Sequence, residues 1–192
     1  NETESVTGVY KFVGADLVSL PVRCNFEQFV IGLNNDITKA INDKSKLLTG
    51  KEVFNDIDMH NKLFYKANEP SYDIYAEDIK LSSKAAHVNP LKVQSDLGVF
   101  NKKYASLTNT DFSSILKNIP VIARNTIEDG KSGNLWYEEV VPHHALFLTF
   151  IYTTDDFLKE FEERLEKDVI QIGGNSTIGY GLCKFHKIKF QS

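Results

Sequence analysis

Apolar and polar positions largely alternate along GVYKFVGADLVSLPVRC, Gly8 to Cys24, with Tyr10, Phe12, Val18, Leu20 and Val22 on one parity. A period of two predicts a β-strand, interrupted near Gly14 and at Pro21, where no ladder donor exists. The period then lengthens. In NFEQFVIGLNNDITKAI, Phe26, Phe29, Val30, Leu33, Ile37 and Ile41 recur at helical spacing behind Asn25, which predicts a capped helix. From about Asn42 to Asn118 the pattern loosens into short apolar runs, KEVF, KLFYKA and YDIYAEDIKL, separated by Asn, Asp, Ser and Lys. This tract predicts short strands within an insertion of functional loops, ending in a helix over TNTDFSSILKNI capped by Thr108 or Thr110.

The pattern sharpens again in PVIARNTIEDGKSGNLWYEEVVP, where two strand-like runs flank the turn signals Asp129-Gly130 and Ser132-Gly133. A β-hairpin over residues 119–142 is expected. HHALFLTFIY is almost continuously apolar, as a central strand covered on both faces would be. TTDDFLKEFEERLEKD follows as a helix, with Thr153 and Asp156 at capping-box spacing and Phe157, Phe161 and Leu165 on one face. VIQIGG and LCKFHKIKF then read as strands, with a bulge near His186 where the apolar parity switches. Strand, helix, strand, strand is the second half of a ferredoxin-like pattern, so the fold class is α+β.

Composition narrows the picture. The chain has 192 residues, 42% of them hydrophobic, enough to bury a core within a single domain over residues 1–192. No apolar run approaches the roughly 18 residues that cross a bilayer, and NETESVTG has neither region of a signal peptide, so a cytoplasmic address with no membrane partner is expected. Cys24 and Cys183 stand far apart inside strand-like runs and read as reduced core thiols. A net charge of −4 argues against a protein that coats nucleic acid indiscriminately, but not against recognition of RNA by backbone amides, hydroxyls and a few cations.

The candidate chemistry concentrates in IQIGGNSTIGYGLCKF, Ile170 to Phe185, with four glycines, Gly173, Gly174, Gly179 and Gly181. The loop is neither a P-loop nor a dinucleotide fingerprint, and it joins two strands with no helix between them. It is either a structural turn or a place where backbone amides, Asn175, Ser176 and Thr177 grip a phosphate or a 2′-hydroxyl, with Lys184 following. Two of the three arginines, Arg23 and Arg124, lie in strand-rich segments, the second near Asn125 and Lys131 of the hairpin. A planar guanidinium fork suits phosphates and bases, although a solvated strand residue is the simpler reading of each. His143-His144 is not a metal pair, because neighbours on a strand point to opposite faces, and Asp155-Asp156 suits a helix N-terminus. No nucleophile, acid–base or metal set assembles, so no catalytic residue and no bound cofactor is assigned.

Three segments, in order, resemble one family: LVSLPVRCNFEQFVIGLN with its Pro-Val-Arg, PVIARNTIEDGKSGNLWYEEVVPHHALF with its LWYEE…P…LF block, and IQIGGNSTIGYGLCKF with its glycine-rich ending. Together they resemble the backbone subunit of the type III-B CRISPR effector, the Cmr complex, within the RAMP superfamily. The resemblance implies a ferredoxin-like (RRM-like) RAMP fold with inserted loops, in which the hairpin over 119–142 is a thumb that interrupts the guide–target duplex. It implies CRISPR RNA and complementary target RNA as partners, together with further copies of the chain and other type III subunits.

Arg23 and the loop residues Gly173, Gly174, Asn175, Ser176, Thr177, Gly179, Gly181 and Lys184 would face the guide, with Arg124, Asn125 and Lys131 at the thumb. In this family the complete protein cleaves target RNA at regular intervals with a divalent metal, using an aspartate on an N-terminal portion that has no counterpart in this chain. The alternatives are a type III-A backbone or a non-cleaving RAMP subunit, and, from another class, a ferredoxin-like small-molecule enzyme with a phosphate-binding glycine loop.

Overall fold

A computed structural model describes residues 8–25, 27–56, 61–65, 72–84, 89–95, 103–167 and 169–190. The chain forms two compact units, one of Leu17–Lys92 and Val99–Phe147, the other of Asn1–Asp16, Val93–Gly98 and Leu148–Ser192. The fold is α+β, as expected.

The first unit is built on strands β1 (Lys11–Arg23), β2 (Phe29–Asn34), β3 (Lys62–Tyr65), β4 (Ile74–Ala76), β5 (Ile79–Lys84) and β7 (Lys103–Leu107). They lie in the order β1-β2-β7-β3-β5-β4, with β2–β7 and β3–β5 parallel and the other neighbours antiparallel. β1 passes through both positions where a break is expected. Pro21 pairs with Ile31 in unbroken register, since a missing donor matters only where that donor would face a partner.

FVIGLN corrects the helix expected from Asn25. Val30 to Asn34 are buried without interruption, as in a strand with a neighbour on each side and packing on both faces. Helix α1 (Asn35–Thr49) starts only after them. Its cap is Asn34, whose Oδ1 accepts the N–H groups of Asp36 (3.0 Å) and Ile37 (3.1 Å), while Gly50 closes the other end in the left-handed region. Phe26 lies outside the described residues.

The tract 42–118 thus begins inside α1 and supplies β3, β4, β5 and β7. Leu63, Ile74, Ala76, Leu81, Ala105 and Leu107 from it join Leu20, Val22 and Val30 in the main core. Burying each Leu, Val or Ile is worth about 1.5–3 kcal/mol, so these strands hold the unit together as much as β1 and β2 do. α2 (Asn109–Lys117) caps on Thr108, one of the two expected caps, and seals this core with Phe112.

β8 (Val121–Glu128) and β9 (Lys131–Glu139) form the expected hairpin as a separate two-stranded sheet. Asp129 (φ 50°) and Gly130 (φ 75°) make its turn, and the register slips between Asn125 and Ile127.

In the second unit, β10 (Leu146–Tyr152) corrects the expected central strand. It is the outermost strand, lies beside the first half of β1 with Thr149 Oγ1 donating to Val13 O at 2.5 Å, and leaves its side chains half-buried or exposed. Apolar residues of both parities record low polarity there, not burial on two faces.

α3 (Asp155–Lys167) starts from Thr154, whose carbonyl accepts Phe157 N and Leu158 N. Thr153 is not its cap. Tyr10 stacks on Phe161 at 4.6 Å, with Phe157 edge-on at 6.3 Å. β11 (Ile170–Gln171) pairs with β12 (Leu182–Cys183), completing the strand, helix, strand, strand order.

The expected bulge at His186 is instead a full break. The chain leaves β12 and re-forms as β13 (Ile188–Lys189), paired with β6 (Gln94–Ser95), so the parity switch marks a change of partner. Neither cysteine is in a disulfide, and both are half-buried. Among the described residues no helix is long and apolar enough to cross a membrane.

Candidate nucleic-acid interface

Arg23 ends β1, and its side chain is 85% exposed. Its guanidinium is aimed. Glu77, in the turn between β4 and β5, accepts from Arg23 Nε at 3.1 and 3.2 Å and from Nη2 at 2.8 Å, while Glu77 N–H donates to Arg23 O at 2.8 Å. The carboxylate holds the guanidinium pKa above its ordinary value, first through these hydrogen bonds and then through its charge. Asn25 fastens the same strand end: its Oδ1 accepts Tyr75 N (2.8 Å), its Nδ2 donates to Asp73 O (2.8 Å), and its N–H donates to Tyr75 O (3.1 Å).

On the hairpin, Arg124 pairs with Trp136 across the strands and reaches diagonally to Glu138, Nε to Oε2 2.5 Å. Trp136 Nε1 donates to the other oxygen of that carboxylate at 3.0 Å. Arg124 is therefore a member of an internal triad, with 19% of its side chain exposed. Asn125 accepts from Ser132 Oγ at 2.9 Å beside the bulge, and exposed Lys131 opens β9 at the turn. Leu135, Tyr137 and Ile127 present exposed apolar surface on the same hairpin.

The glycine loop is a self-ordered turn. Ser176–Ile178 form a single 3₁₀ turn, entered through Asn175 (φ 61°) and left through Gly179 (φ 82°). Ile172 N–H donates to Gly181 O at 2.8 Å, and Gln171 Nε2 reaches inward to Gly173 O at 2.8 Å. Gly181 (φ 73°) has no alternative, since a Cβ there would lie 2.0 Å from Ile172 O. Gly174 differs: its φ is not in the left-handed region, and a Cβ would meet nothing within 4 Å. The turn explains Gly181 and leaves Gly174 unexplained. Asn175, Ser176, Thr177 and Lys184 are exposed.

Arg23, Arg124, Asn125 and Lys131 thus belong to the first unit, and the glycine loop with Lys184 to the second. His143 and His144 occupy a turn before β10 and not a strand, with His144 (φ 67°) stacked on Phe29 at 5.0 Å. Sequence reasoning misses Glu77, Glu138 and Gln171. Only Glu138 leaves a local signal, because it lies two residues from Trp136 on the same face of a strand.

The candidate site thus offers an exposed, pre-oriented arginine at a strand end, a hairpin that forms its own two-stranded sheet, and a glycine turn with one sterically unneeded glycine. The family model described as the RAMP superfamily matches residues 15–184. The chain belongs to the RAMP superfamily.

Among relatives of this RAMP chain is the CRISPR system Cmr endoribonuclease Cmr4 of Pyrococcus furiosus, 36% identical over 61 residues. That stretch covers 28% of this chain and only 21% of the relative's length. Solved structures share the fold over nearly the whole chain. A type III-B Cmr-beta structure in the apo state matches 98% of this chain and 73% of its own, with TM-score 0.68 and 14% identity. Cmr-beta bound to cognate target RNA gives 98%, 72%, 0.65 and 15%. Oligomeric Cmr4 from Pyrococcus furiosus gives 96%, 74%, 0.64 and 15%.

Proposed function

We propose that this RAMP chain is an RNA-binding backbone subunit of a type III-B RNA-guided effector, holding a stretch of CRISPR RNA and admitting complementary target RNA beside it. The observation that carries the reading is the extent of the likeness: 98% of the chain follows a Cmr-beta structure bound to cognate target RNA. The matched Cmr4 relative, an endoribonuclease by name, supports the same class.

In this reading Arg23 and the loop around Gly174 contact the guide backbone, and the hairpin from Val121 to Glu139 is the thumb. Recognition rests on shape, hydroxyls and few cations, which suits a chain of net charge −4. Further copies of the chain and other type III subunits are its protein partners.

In this reading target RNA is cleaved within the assembled effector. In-line attack by a 2′-hydroxyl needs a group or ion that manages proton and charge. Among the described residues no three His, Cys, Asp or Glu side chains converge to hold a metal ion, so the metal implied by the family is not assigned to them.

Co-expression with its genomic neighbours tests the reading. Recovery of the chain in a complex carrying RNA of defined length is the expected result. Recovery free of nucleic acid with a bound metabolite would overturn it in favour of a small-molecule enzyme.

A further inference from the structure

We propose that Glu77 is a positioning residue for RNA: it takes one edge of the Arg23 guanidinium so that the opposite edge is presented, pre-oriented, to a phosphate. The proposal rests on the reading of Arg23 as an RNA contact.

The geometry separates the two edges. Glu77 engages Nε and Nη2, the side-on fork, and Arg23 carries five N–H donors in a rigid plane. The remaining Nη1 and Nη2 hydrogens form the end-on fork, which matches two phosphate oxygens, on a side chain that is 85% exposed.

The backbone supplies a second, independent observation. Glu77 is the first of two residues between the paired Ala76 and Ile79, and its φ is +53°, while Asp78 is not in the left-handed region. Hairpins with that pattern favour glycine at the first position. A glutamate held there indicates that the side chain is kept for a purpose that outweighs backbone comfort. Asn25 steadies the arrangement by tying the end of β1 to Asp73 and Tyr75.

Electrostatics alone predicts the opposite role. A carboxylate beside a phosphate site lowers the local positive charge, so removing it should tighten RNA binding. Pre-orientation predicts weakening, because an untethered arginine must lose its rotamer freedom on binding.

Single-stranded guide RNA, fluorescently labelled, can be titrated with the whole chain and with Glu77→Gly, Glu77→Gln, Arg23→Ala and Arg23→Ala/Glu77→Gly across a salt series. Glycine is unstrained at this φ, so Glu77→Gly should fold at least as stably as the parent. Glu77→Gly is expected to bind about 2- to 10-fold more weakly, with Glu77→Gln intermediate because its amide oxygen still accepts from the guanidinium. The salt slope of Glu77→Gly should stay unreduced, whereas that of Arg23→Ala falls by about 0.7, and the double variant should match Arg23→Ala.

Equal or tighter binding by Glu77→Gly, with Arg23→Ala weakened, would overturn the positioning role and leave the Arg23 contact standing. Unchanged binding by Arg23→Ala would overturn both.

Discussion

Arg124 and Trp136 face each other across the hairpin and share one carboxylate, Glu138, which takes the guanidinium on one oxygen and the indole N–H at 3.0 Å on the other. The triad braces a two-stranded sheet that, among the described residues, pairs with no other strand. Such a hairpin is marginal without side-chain support. Glu138→Ala should therefore loosen the hairpin by about 1–2 kcal/mol. Trp136 is the sole tryptophan, so its emission should shift to the red and become more open to quenching while the rest of the chain keeps its far-UV signal.

The two kinds of glycine in the loop should separate cleanly. Gly181→Ala forces a Cβ onto Ile172 O and should destabilise the β11–β12 turn by about 1–3 kcal/mol, read as lost amide protection of Ile172. Gly174→Ala meets open space and should leave thermal unfolding within about 1 kcal/mol of the parent. If a sugar–phosphate chain lies against residue 174, Gly174→Ala should still weaken guide RNA binding. Unaltered affinity would remove this residue from the contact.

Asn34 does two jobs from a buried position. It caps α1, and its Nδ2 donates to Leu107 O (3.3 Å) and Asn109 Oδ1 (2.6 Å), joining β2 to β7 and α2. Asn34→Ala should cost about 2–3 kcal/mol in a urea titration, more than a surface cap would, because polar groups of the partners are orphaned as well. Asn34→Asp keeps the capping acceptor but sets a carboxylate oxygen against Leu107 O and Asn109 Oδ1, and should cost at least as much.

Acid and alkali should act at different places. Hydrogen bonds from Lys46 and then Lys92 hold the Glu52 carboxyl down to about 2. A lowered folded pKa contributes stability above the ordinary value of about 4.5, and that contribution fades as the pH drops toward 2. Both lysines are exposed and Glu52 is only half-buried, so this acid limb should be shallow.

Burial pushes the Tyr104 phenol up. The fold favours the protonated phenol, so this contribution is intact below the ordinary tyrosine value of about 10 and is lost as the pH rises above it. Of the eight tyrosines, Tyr104 should ionise together with unfolding, seen as a step in tyrosinate absorbance that coincides with loss of far-UV signal.

Local signals carried much of this architecture. Thr108 before a helical run and Asp129-Gly130 between two β-rich runs each dictate their structure within a few residues. FVIGLN defeats the same reasoning, because six consecutive residues satisfy a helical face and a buried strand alike, and only the neighbours β1 and β7 decide. β10 fails for the converse reason: its apolar run says nothing about which sheet edge it occupies.

The candidate interface divides in the same way. The glycine loop and Arg23 stand out by composition. The group that aims Arg23 does not, because Glu77 lies 54 residues away and reads as one more surface carboxylate.

That separation bears on when the chain becomes competent. Arg23 with Glu77, and Asn25 with Asp73 and Tyr75, are joined across stretches of 48 to 54 residues that close only once β4 and β5 have docked. Closing so long a loop is slow and is repaid late in folding. A nascent or half-folded chain would carry an arginine that points nowhere in particular. The clasp is thus complete only in the folded chain, so the aim of Arg23 depends on the docking of β4 and β5.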